Sequence, residues 1–287
     1  MKNSYPKKIT LEDIGHYSVW PSRLLGLEDY SIRYKNPNEI NREFNIEKWG
    51  LLLNIFKNNP SLTLTDMESS EQNLEEIIPF YDSLKGFNLN KLSFAQEKQL
   101  NIFKKIISSN LSGVNGLVEL GAGYGSKIFR LSDTLEMKDL PLFAGEYTNS
   151  GCELIKLLGV KEDKNIKVGK CDFNNINLDE FEIPENSIIF TSYALHYASD
   201  LNIDFFKLIS QLKPKLVIHF EPCYEYYDPQ SLHGQMCRRY IEINGYTQNI
   251  ASIVEDSCEI LNGKIKVQKN VFGTNPFLPF SIIEWTL

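Results

Sequence analysis

Short apolar runs alternate with amphipathic stretches from about residue 115 onward, and this alternation constrains the fold more than any other feature. The apolar runs predict strands at residues 116–120, 141–146, 165–169, 187–192 and 215–221. The stretches between them predict helices at residues 126–133, 150–158, 200–212 and 231–258, the last broken near Gly245. Strands that are apolar along most of their length are typical of parallel strands covered on both faces. The pattern therefore predicts a doubly wound α/β sheet.

Residues 264–287 depart from this alternation because they contain two strand-like runs with no helix between them. The loop that joins the two runs carries Gly273, Pro276 and Pro279. Strands joined in this way are neighbours in an antiparallel pair. We therefore expect a mixed sheet that is parallel until its last strand inserts antiparallel.

Residues 1–112 show helical patterns and few strand patterns. The apolar spacing predicts helices at residues 11–14, 41–57, 74–84 and 94–109. We interpret residues 1–112 as a mainly helical region that packs on an α/β domain formed by residues 113–287.

A glycine-rich turn follows the first apolar run of the α/β domain and leads into a predicted helix. Gly121, Gly123 and Gly125 occupy alternate positions in this turn. Glycine adopts positive φ angles and lets the backbone approach a ligand closely, which suits a nucleotide-like group. The spacing differs from the G-x-G-x-x-G fingerprint of dinucleotide-binding folds. It is also compatible with a plain strand-to-helix turn, so the turn alone does not define a ligand.

Two carboxylates follow the next two predicted strands. Glu146 ends the second strand, and Asp172 comes after the third strand beside Phe173. A carboxylate at the end of the second strand can accept hydrogen bonds from ribose hydroxyls. A carboxylate beside an aromatic ring suits adenine, because the acid accepts from the amino group while the ring covers the base. Each acid alone fits a solvated loop, but the two in strand order indicate an adenosine-binding site.

The segment VELGAGYG, followed by these two acids, resembles the class I S-adenosylmethionine-dependent methyltransferase family over roughly residues 90–287. The resemblance implies a seven-stranded, Rossmann-like mixed sheet with an antiparallel last strand, preceded by a mainly helical extension. It also implies S-adenosylmethionine as the cofactor, with its amino-acid end at Glu119, Gly121 and Gly123, its ribose at Glu146 and its adenine at Asp172. The predicted cofactor-binding residues are Glu119, Gly121, Ala122, Gly123, Glu146, Tyr147, Asp172, Phe173 and Ser192.

Candidate catalytic residues lie at the ends of the fourth and fifth strands. In this family the segment after the fourth strand borders the methyl group and the substrate, which points to Tyr193 and His196. His196 is a base candidate at cellular pH, or it supports the cofactor loop. Glu221 is expected near the exposed tip of the fifth strand, where it binds or deprotonates an amine, caps a helix or forms an ion pair. His219, deeper in that strand, is expected to be a hydrogen-bonded core residue.

Helical spacing aligns a polar stripe, His233, Cys237, Tyr240 and Asn244, on the helix that follows. The stripe either faces a substrate pocket, which makes His233 a further catalytic candidate, or is a half-buried face with satisfied polar groups.

The N-terminal region leads to a similar pair of hypotheses, because its scattered aromatic and arginine residues fit either a protein core or a lid over the active site. These residues are Tyr17, Trp20, Arg23, Tyr30, Arg33, Tyr34 and Arg42.

Charge and composition restrict the partners. A net charge of -7 disfavours nucleic acid as a substrate. The fourth strand also lacks the N-P-P-Y or D-P-P-Y tetrapeptide of the family's amino-methylating nucleic-acid enzymes. No apolar run approaches the ~18 residues that span a bilayer, and the N-terminus lacks a signal-like apolar stretch, so we expect a cytoplasmic protein. The five scattered cysteines and four unpaired histidines indicate reduced thiols and no metal site.

Together these features predict transfer of a methyl group to a nitrogen or oxygen of a small molecule or peptide, in a biosynthetic pathway. Two alternatives stay open. A nicotinamide-dependent oxidoreductase would share the glycine turn and the ribose acid, but the glycine spacing and Asp172 disfavour it. The chain could also be a catalytically silent binding module with the same fold. The sequence leaves the oligomeric state open.

Overall fold

The computed structural model describes residues 6–31, 35–134, 136–174, 182–199 and 201–287. Ten strands in these ranges form one sheet: β1 (Lys7–Lys8), β2 (Ile77–Asp82), β3 (Gly86–Lys91), β4 (Leu117–Leu120), β5 (Leu142–Glu146), β6 (Ile166–Lys170), β7 (Ile188–Ser192), β8 (Leu216–Glu221), β9 (Lys264–Gly273) and β10 (Phe280–Thr286). The α-helices are α1 (Trp20–Leu24), α2 (Pro37–Ile40), α3 (Trp49–Asn58), α4 (Leu64–Glu71), α5 (Leu92–Ser108), α6 (Ser126–Ser132), α7 (Asn149–Lys161), α8 (Ile203–Gln211), α9 (Leu232–Ile243) and α10 (Ile250–Ile260). A π-helix spans Asn41–Lys48, and 3₁₀ turns span Glu12–His16, Leu195–Tyr197 and Tyr224–Tyr226.

The strand order across the sheet is β1-β3-β2-β9-β10-β8-β7-β4-β5-β6. The five strands from β8 to β6 are parallel to one another. Strand β10 lies between β8 and β9 and is antiparallel to both. The predicted mixed α/β sheet with an antiparallel last strand is therefore confirmed. The predicted break in the last helix is also present, since α9 ends before Gly245 and α10 begins after it.

Alternate residues of the central strands face opposite sides of the sheet, and each side has its own apolar core. Val118, Ile189 and Val217 belong to one buried cluster, which α8 and α10 cover. Leu117 and Ile188 belong to the other, which α5 and α6 cover. The sheet is thus doubly wound, and its buried strands explain why the sequence shows almost uninterrupted apolar runs.

The expectation of seven strands is wrong, because the described residues contain ten, and three of these come from the N-terminal region. The helix predicted at residues 74–84 is instead strand β2, which forms a hairpin with β3. Gly86, with φ +73°, allows the tight turn between them. Phe80 is fully buried against Phe94 and Phe272, and β2 pairs with the edge of β9. Tertiary packing on an available sheet edge has overridden the helical spacing of the apolar residues.

The other N-terminal helices agree with the predictions in type, since residues 41–57 and 94–109 overlap helical elements. The prediction at residues 11–14 overlaps a 3₁₀ turn. The helix predicted from residue 200 corresponds to α8, and residue 200 itself lies outside the described residues. None of the helices in the described ranges is long and apolar enough to cross a membrane.

Candidate active site

A cavity of about 850 Å³ lies at the carboxyl ends of β4, β5 and β7. This is the position at which open α/β sheets bind ligands, and its size is typical of small-molecule sites. Ten of the residues predicted from the sequence line it: Gly121, Ala122, Gly123, Glu146, Tyr147, Asp172, Phe173, Ser192, Tyr193 and His196. The remaining three, Glu119, Glu221 and His233, lie outside the cavity lining.

All three glycines of the turn between β4 and α6 have positive φ angles, and two of them line the cavity. Gly121 has φ +76° and Gly123 has φ +61°. A Cβ on Gly121 would overlap the Cβ of Ala194 and lie 3.1 Å from the ring of Phe173. A Cβ on Gly123 would lie 3.0 Å from the ring of Trp49. The turn is therefore a close-packed cradle in which a side chain would displace its neighbours or fill the cavity.

Glu146 holds this turn in place from the end of β5. Its Oε2 accepts a hydrogen bond of 2.9 Å from the backbone N–H of Gly123. Its Oε1 accepts from the backbone N–H and the hydroxyl of Thr148, at 2.9 and 2.7 Å. Burial raises the pKa of the carboxyl, and these hydrogen bonds oppose the rise. A carboxylate has about four acceptor positions, so roughly one stays open for a ligand hydroxyl.

Two buried oxygens near the turn have no hydrogen-bond partner in the described part of the chain. Oε2 of Glu119 accepts from the backbone N–H of Ile128 at 3.1 Å, but its Oε1 accepts from nothing. Burial raises the pKa of Glu119 to about 7. The hydroxyl of Ser192, at the end of β7, is likewise unpartnered although the residue lines the cavity. Unsatisfied buried polar groups are costly, and in native proteins they often mark a ligand or functional site.

Asp172 and Phe173 follow β6 and face the cavity beside the glycine turn. Oδ1 of Asp172 accepts from the backbone N–H of Asn174 at 3.0 Å, which orients the carboxylate. The ring of Phe173 packs edge-on against Phe205, with centroids 5.3 Å apart, so the ring is held at the cavity wall. An acceptor and an aromatic face are thus adjacent, as adenine recognition requires.

His196 and Glu221 form a buried pair at the ends of β7 and β8. Nδ1 of His196 lies 3.4 Å from Oε2 of Glu221. The backbone N–H of Ala194 donates to both carboxylate oxygens at 3.0 Å, which fixes the carboxylate. An ionised carboxylate only accepts, so neutral His196 carries its proton on Nδ1 and leaves a lone pair on Nε2. Nε2 has no hydrogen-bond partner among the described residues, and His196 lines the cavity.

The expectation that Glu221 lies near an exposed strand tip is wrong, because its exposed fraction is zero. The chain turns over the end of β8 after Pro222, and Cys223, which follows, is also fully buried. Glu221 thus does not line the cavity itself but bonds to His196 and Ala194, which do. Desolvation lowers the pKa of His196, and Glu221 partly offsets this effect.

Tyr193 lines the cavity, but its hydroxyl is already used. The hydroxyl donates to the backbone carbonyl of Leu278 at 3.0 Å. Burial raises the pKa of Tyr193 far above its usual value, so the phenol keeps its proton. The residue also has φ +51°, an unusual angle for a side chain of this size. This geometry fits a residue that shapes the wall better than one that exchanges protons.

His219 is a core residue, as predicted. Nε1 of Trp285 donates to its Nε2 at 3.0 Å, so its Nδ1 carries the proton and donates to the hydroxyl of Thr191, also at 3.0 Å. Burial lowers the pKa of His219 to about 4, which keeps it neutral at physiological pH. Both ring nitrogens are satisfied within the core, so His219 has no atom available for chemistry.

Replacing His219 by Leu is expected to lower the free energy of unfolding by about 1–3 kcal/mol, because the buried N–H of Trp285 loses its acceptor. Urea unfolding measures this loss. The control is His16→Leu at an exposed histidine, which is expected to change the free energy of unfolding by less than about 0.5 kcal/mol. If H219L were as stable as the native chain, the proposed hydrogen-bonded core role would be incorrect.

The polar stripe of α9 is divided between two environments. Nε2 of His233 donates to the carbonyl of Pro276 at 2.7 Å, and its ring packs against Tyr81 and Phe87 of the β2–β3 hairpin. Asn244 accepts from the hydroxyl of Tyr30 at 2.9 Å. Of the four stripe residues only Tyr240 lines the cavity. The half-buried face with satisfied polar groups is therefore the better description of the stripe.

The roof of the cavity comes from the N-terminal region, but not from the residues that the lid hypothesis named. Glu43 and Phe44 of the π-helix, together with Trp49 of α3, line the cavity and form this roof. Asn45 fixes this segment to α7, because its Oδ1 accepts from the backbone N–H of Ser150 and its carbonyl accepts from the hydroxyl of Ser150, at 2.9 and 2.7 Å. No motif marks these residues in the sequence. Their amphipathic helical pattern indicates only that one side is buried.

The N-terminal aromatic residues named above lie elsewhere. Trp20 packs on Tyr240 with ring centroids 4.4 Å apart, and Arg23 lies over the rings of Trp20 and Tyr30. Tyr17 is exposed. Arg33 and Tyr34 fall outside the described residues. The residues that cover the cavity thus come from the segment after residue 36, not from the first 30 residues.

No protein-family model matches the chain, and no curated protein matches it. Among solved structures, it is similar to the methyltransferase domain of a bacterial CtHen1, with 12% identity, a TM-score of 0.46, and coverage of 67% of this chain and 98% of that one. It is similar to an O-methyltransferase family protein from Burkholderia thailandensis, with 9% identity, a TM-score of 0.48 and coverage of 68% and 56%. It is also similar to the plantazolicin methyltransferase BpumL, solved with a pentazolic analogue and SAH, with 10% identity, a TM-score of 0.44 and coverage of 68% and 88%. All three structures are named as methyltransferases.

Proposed function

We propose that the chain is an S-adenosylmethionine-dependent methyltransferase that acts on an oxygen or nitrogen of a small molecule or peptide. The observation that carries the proposal is the arrangement of one cavity. A nucleotide-type glycine turn with two acids lines it, and so does a histidine whose Nε2 has no partner among the described residues. The residues proposed to bind the cofactor and the residue proposed as the base therefore line the same cavity.

The residues present fit the cofactor. Gly121 and Gly123 line the cavity with backbone that carries no side chain, and Glu146 keeps an acceptor position for a ribose hydroxyl. Asp172 and Phe173 supply an acceptor and a ring for adenine. Ser192 has a buried hydroxyl without a partner in the described part of the chain. S-adenosylmethionine, when bound, supplies a methyl carbon activated by a sulfonium sulfur.

Glu119 has a less direct role in this proposal than the sequence resemblance implies. It lies behind the turn, outside the cavity lining, and bonds to the first turn of α6. We assign it to holding the turn and α6 in register. With a pKa of about 7, it changes between its neutral and ionised forms near physiological pH.

His196 is the proposed general base. Its Nε2 lone pair takes the proton of the acceptor, while Nδ1–H points to Glu221. Glu221 is a positioning residue, because it fixes the tautomer and stabilises the imidazolium that forms without touching the acceptor. Tyr193 and the roof residues Phe44 and Trp49 shape the cavity and exclude water.

Calorimetric titration with S-adenosylhomocysteine and, separately, with NADH tests the cofactor assignment. Binding of S-adenosylhomocysteine that is weakened in Asp172→Ala supports the proposal. Tight binding of NADH alone would favour the oxidoreductase alternative. Failure to bind either ligand would favour a silent binding module.

The methyl-transfer rate is expected to rise with pH and then level off, because only the neutral form of His196 accepts a proton. Burial lowers the pKa of His196, so the midpoint of this rise should lie below 6.5, the usual value. The rate is therefore lost as the pH falls through the folded pKa and is constant near pH 7. Single-turnover rates between pH 4.5 and 8, within the range where the protein stays folded, measure the profile. A midpoint above pH 7 would contradict the assignment.

A further inference from the structure

An aromatic wall lies beside His196 in the cavity. It consists of Phe44, Tyr197, Tyr240 and Tyr246, all of which line the cavity. The rings contact one another in sequence, with centroids 4.9 Å apart for Phe44 and Tyr197, 5.1 Å for Tyr197 and Tyr246, and 6.3 Å for Tyr240 and Tyr246. The ring of His196 lies 4.2 Å from that of Tyr197 and 4.5 Å from that of Tyr246. The base is thus set into this aromatic surface.

The tyrosine hydroxyls in and beside the aromatic wall have partners within the protein, and that of Tyr240 bonds to the side chain of Asn275. The hydroxyls of Tyr197 and Tyr246 face each other at 3.5 Å, and the nearby hydroxyl of Tyr193 donates to a backbone carbonyl. These groups are therefore engaged with the protein. A flat, apolar ligand gains dispersion and ring–ring contacts on such a surface, which a strongly hydrated group does not.

Charged groups next to the aromatic wall are paired with each other. Lys35 forms an ion pair with Glu43, and Lys48 pairs with the other carboxylate oxygen of Glu43 at 3.1 Å. The ammonium of Lys35 also lies 5.5 Å from the ring centroid of Tyr197. Lys104 and Lys127, which line the cavity too, belong to α5 and α6, away from the elements of the aromatic wall. Lys35 and Lys48 thus share the single carboxylate of Glu43, which holds both ammonium groups beside the base and the ring surfaces.

We propose that the acceptor is an uncharged, planar aromatic compound with a hydroxyl on its ring. The inference rests on the proposed methyltransferase function and specifies its substrate class. The ring packs on the aromatic wall, and the hydroxyl meets Nε2 of His196. The hydroxyl proton passes to Nε2, the oxygen forms a bond to the methyl carbon, and the carbon–sulfur bond breaks with its electron pair left on sulfur. The products are an aryl methyl ether, a neutral thioether and a protonated histidine, which returns its proton to water.

Phenols match the strength of this base better than aliphatic alcohols do. A phenolic hydroxyl has a pKa near 10, as in tyrosine, which is within reach of an imidazole that is held neutral by burial. Aliphatic hydroxyls are much weaker acids, so an imidazole gives them little nucleophilic oxyanion. The base and the aromatic wall thus select the same class of acceptor.

Binding of four ring compounds to the protein saturated with S-adenosylhomocysteine tests the inference. The probes are 2-naphthol, 2-naphthoate, decahydro-2-naphthol and 2-naphthylamine, and calorimetry gives each Kd. We expect 2-naphthol to bind about tenfold more tightly than the charged naphthoate and the non-planar decahydronaphthol. With S-adenosylmethionine, mass spectrometry should detect 2-methoxynaphthalene in larger yield than methylated naphthylamine.

Variants of Phe44 connect the result to the aromatic wall. Phe44→Ala is expected to weaken 2-naphthol about fivefold or more, and Phe44→Leu, which keeps most of the volume, to weaken it less. The matched control is Tyr17→Leu, an exposed aromatic outside the cavity, which should leave the Kd unchanged. Unchanged affinity for S-adenosylhomocysteine shows that each variant is folded.

Three outcomes would overturn the inference: equal affinity for 2-naphthoate or decahydro-2-naphthol, preferential methylation of 2-naphthylamine, or no effect of either Phe44 variant. The two proposals fail separately. If the native chain does not bind S-adenosylhomocysteine, the methyltransferase function itself is refuted. Binding of S-adenosylhomocysteine without binding of 2-naphthol refutes only the aromatic acceptor.

Discussion

Replacing His196 by Gln is expected to lower kcat for methyl transfer about 100- to 10,000-fold, the usual contribution of a positioned general base. Glutamine keeps an amide near Glu221 but has no lone pair that accepts a proton at neutral pH. His196 packs against Tyr197 and Tyr246 rather than against the glycine turn, so the Kd of S-adenosylhomocysteine should change by less than about twofold. Single-turnover kinetics and calorimetry measure the two quantities separately.

His233→Gln is the matched control, because His233 is half-buried outside the cavity and bonds only to structural groups. Its kcat should equal that of the native chain. Glu221→Gln gives a further readout, since removal of the negative charge lowers the pKa of His196 and moves the acidic limb of the pH profile to lower pH. A merely structural glutamate would leave this limb in place. If H196Q kept a third or more of native kcat, alignment without a base would explain catalysis better.

The parallel part of the sheet could be predicted because each of its strands and helices has its own local sequence pattern. Strands β4 and β7 are buried on both faces, so most of their residues are apolar, and the helices between them show amphipathic spacing. The β2–β3 hairpin pairs locally, but it was missed because residues 74–84 also fit helical spacing and the packing that favours the strand involves the distant β9. Tyr81 pairs with Gly273, and no local pattern in the sequence records that pairing.

The proposed cofactor residues and the His196–Glu221 pair also differ in how far the sequence predicts them. Gly121, Glu146 and Asp172 follow successive strands, and parallel neighbours bring their carboxyl ends together, so spacing along the chain predicts their proximity. The His196–Glu221 pair also follows from strand order, because β7 and β8 are neighbours and Ser192 lies opposite Phe220. The burial of Glu221 does not follow from strand order, because it depends on the chain that folds over the end of β8.

The roof could not be predicted at all from the residues that form the cradle. Trp49 reaches Gly123 from an element more than 70 positions earlier in the chain, through packing that involves α3 and α7. Asn45 and Ser150 make the connection with two hydrogen bonds between segments that share no motif. Long-range contacts of this kind are a property of the folded surface and leave no periodic signal in either segment.

Gly121→Ala is expected to lower both stability and cofactor affinity. The added Cβ must occupy a backbone conformation with φ +76° and overlap the Cβ of Ala194. Strain of this kind costs about 1–2 kcal/mol, and overpacking adds about 1–3 kcal/mol. Displacement of Ala194 also moves the N–H that fixes Glu221, so the change reaches the His196–Glu221 pair. We expect the Kd of S-adenosylhomocysteine to rise at least about 100-fold, because the ligand must approach this backbone closely.

Gly113→Ala separates the two causes, because Gly113 has a similar φ of +70° but no atom within 4 Å of an added Cβ. This control carries the conformational strain alone, so it should lose about 1–2 kcal/mol of unfolding free energy and keep its cofactor affinity. Urea unfolding and calorimetry on both variants give the comparison. If Gly121→Ala bound S-adenosylhomocysteine as tightly as Gly113→Ala does, the turn would not contact the cofactor, and the ligand would have to lie elsewhere in the cavity.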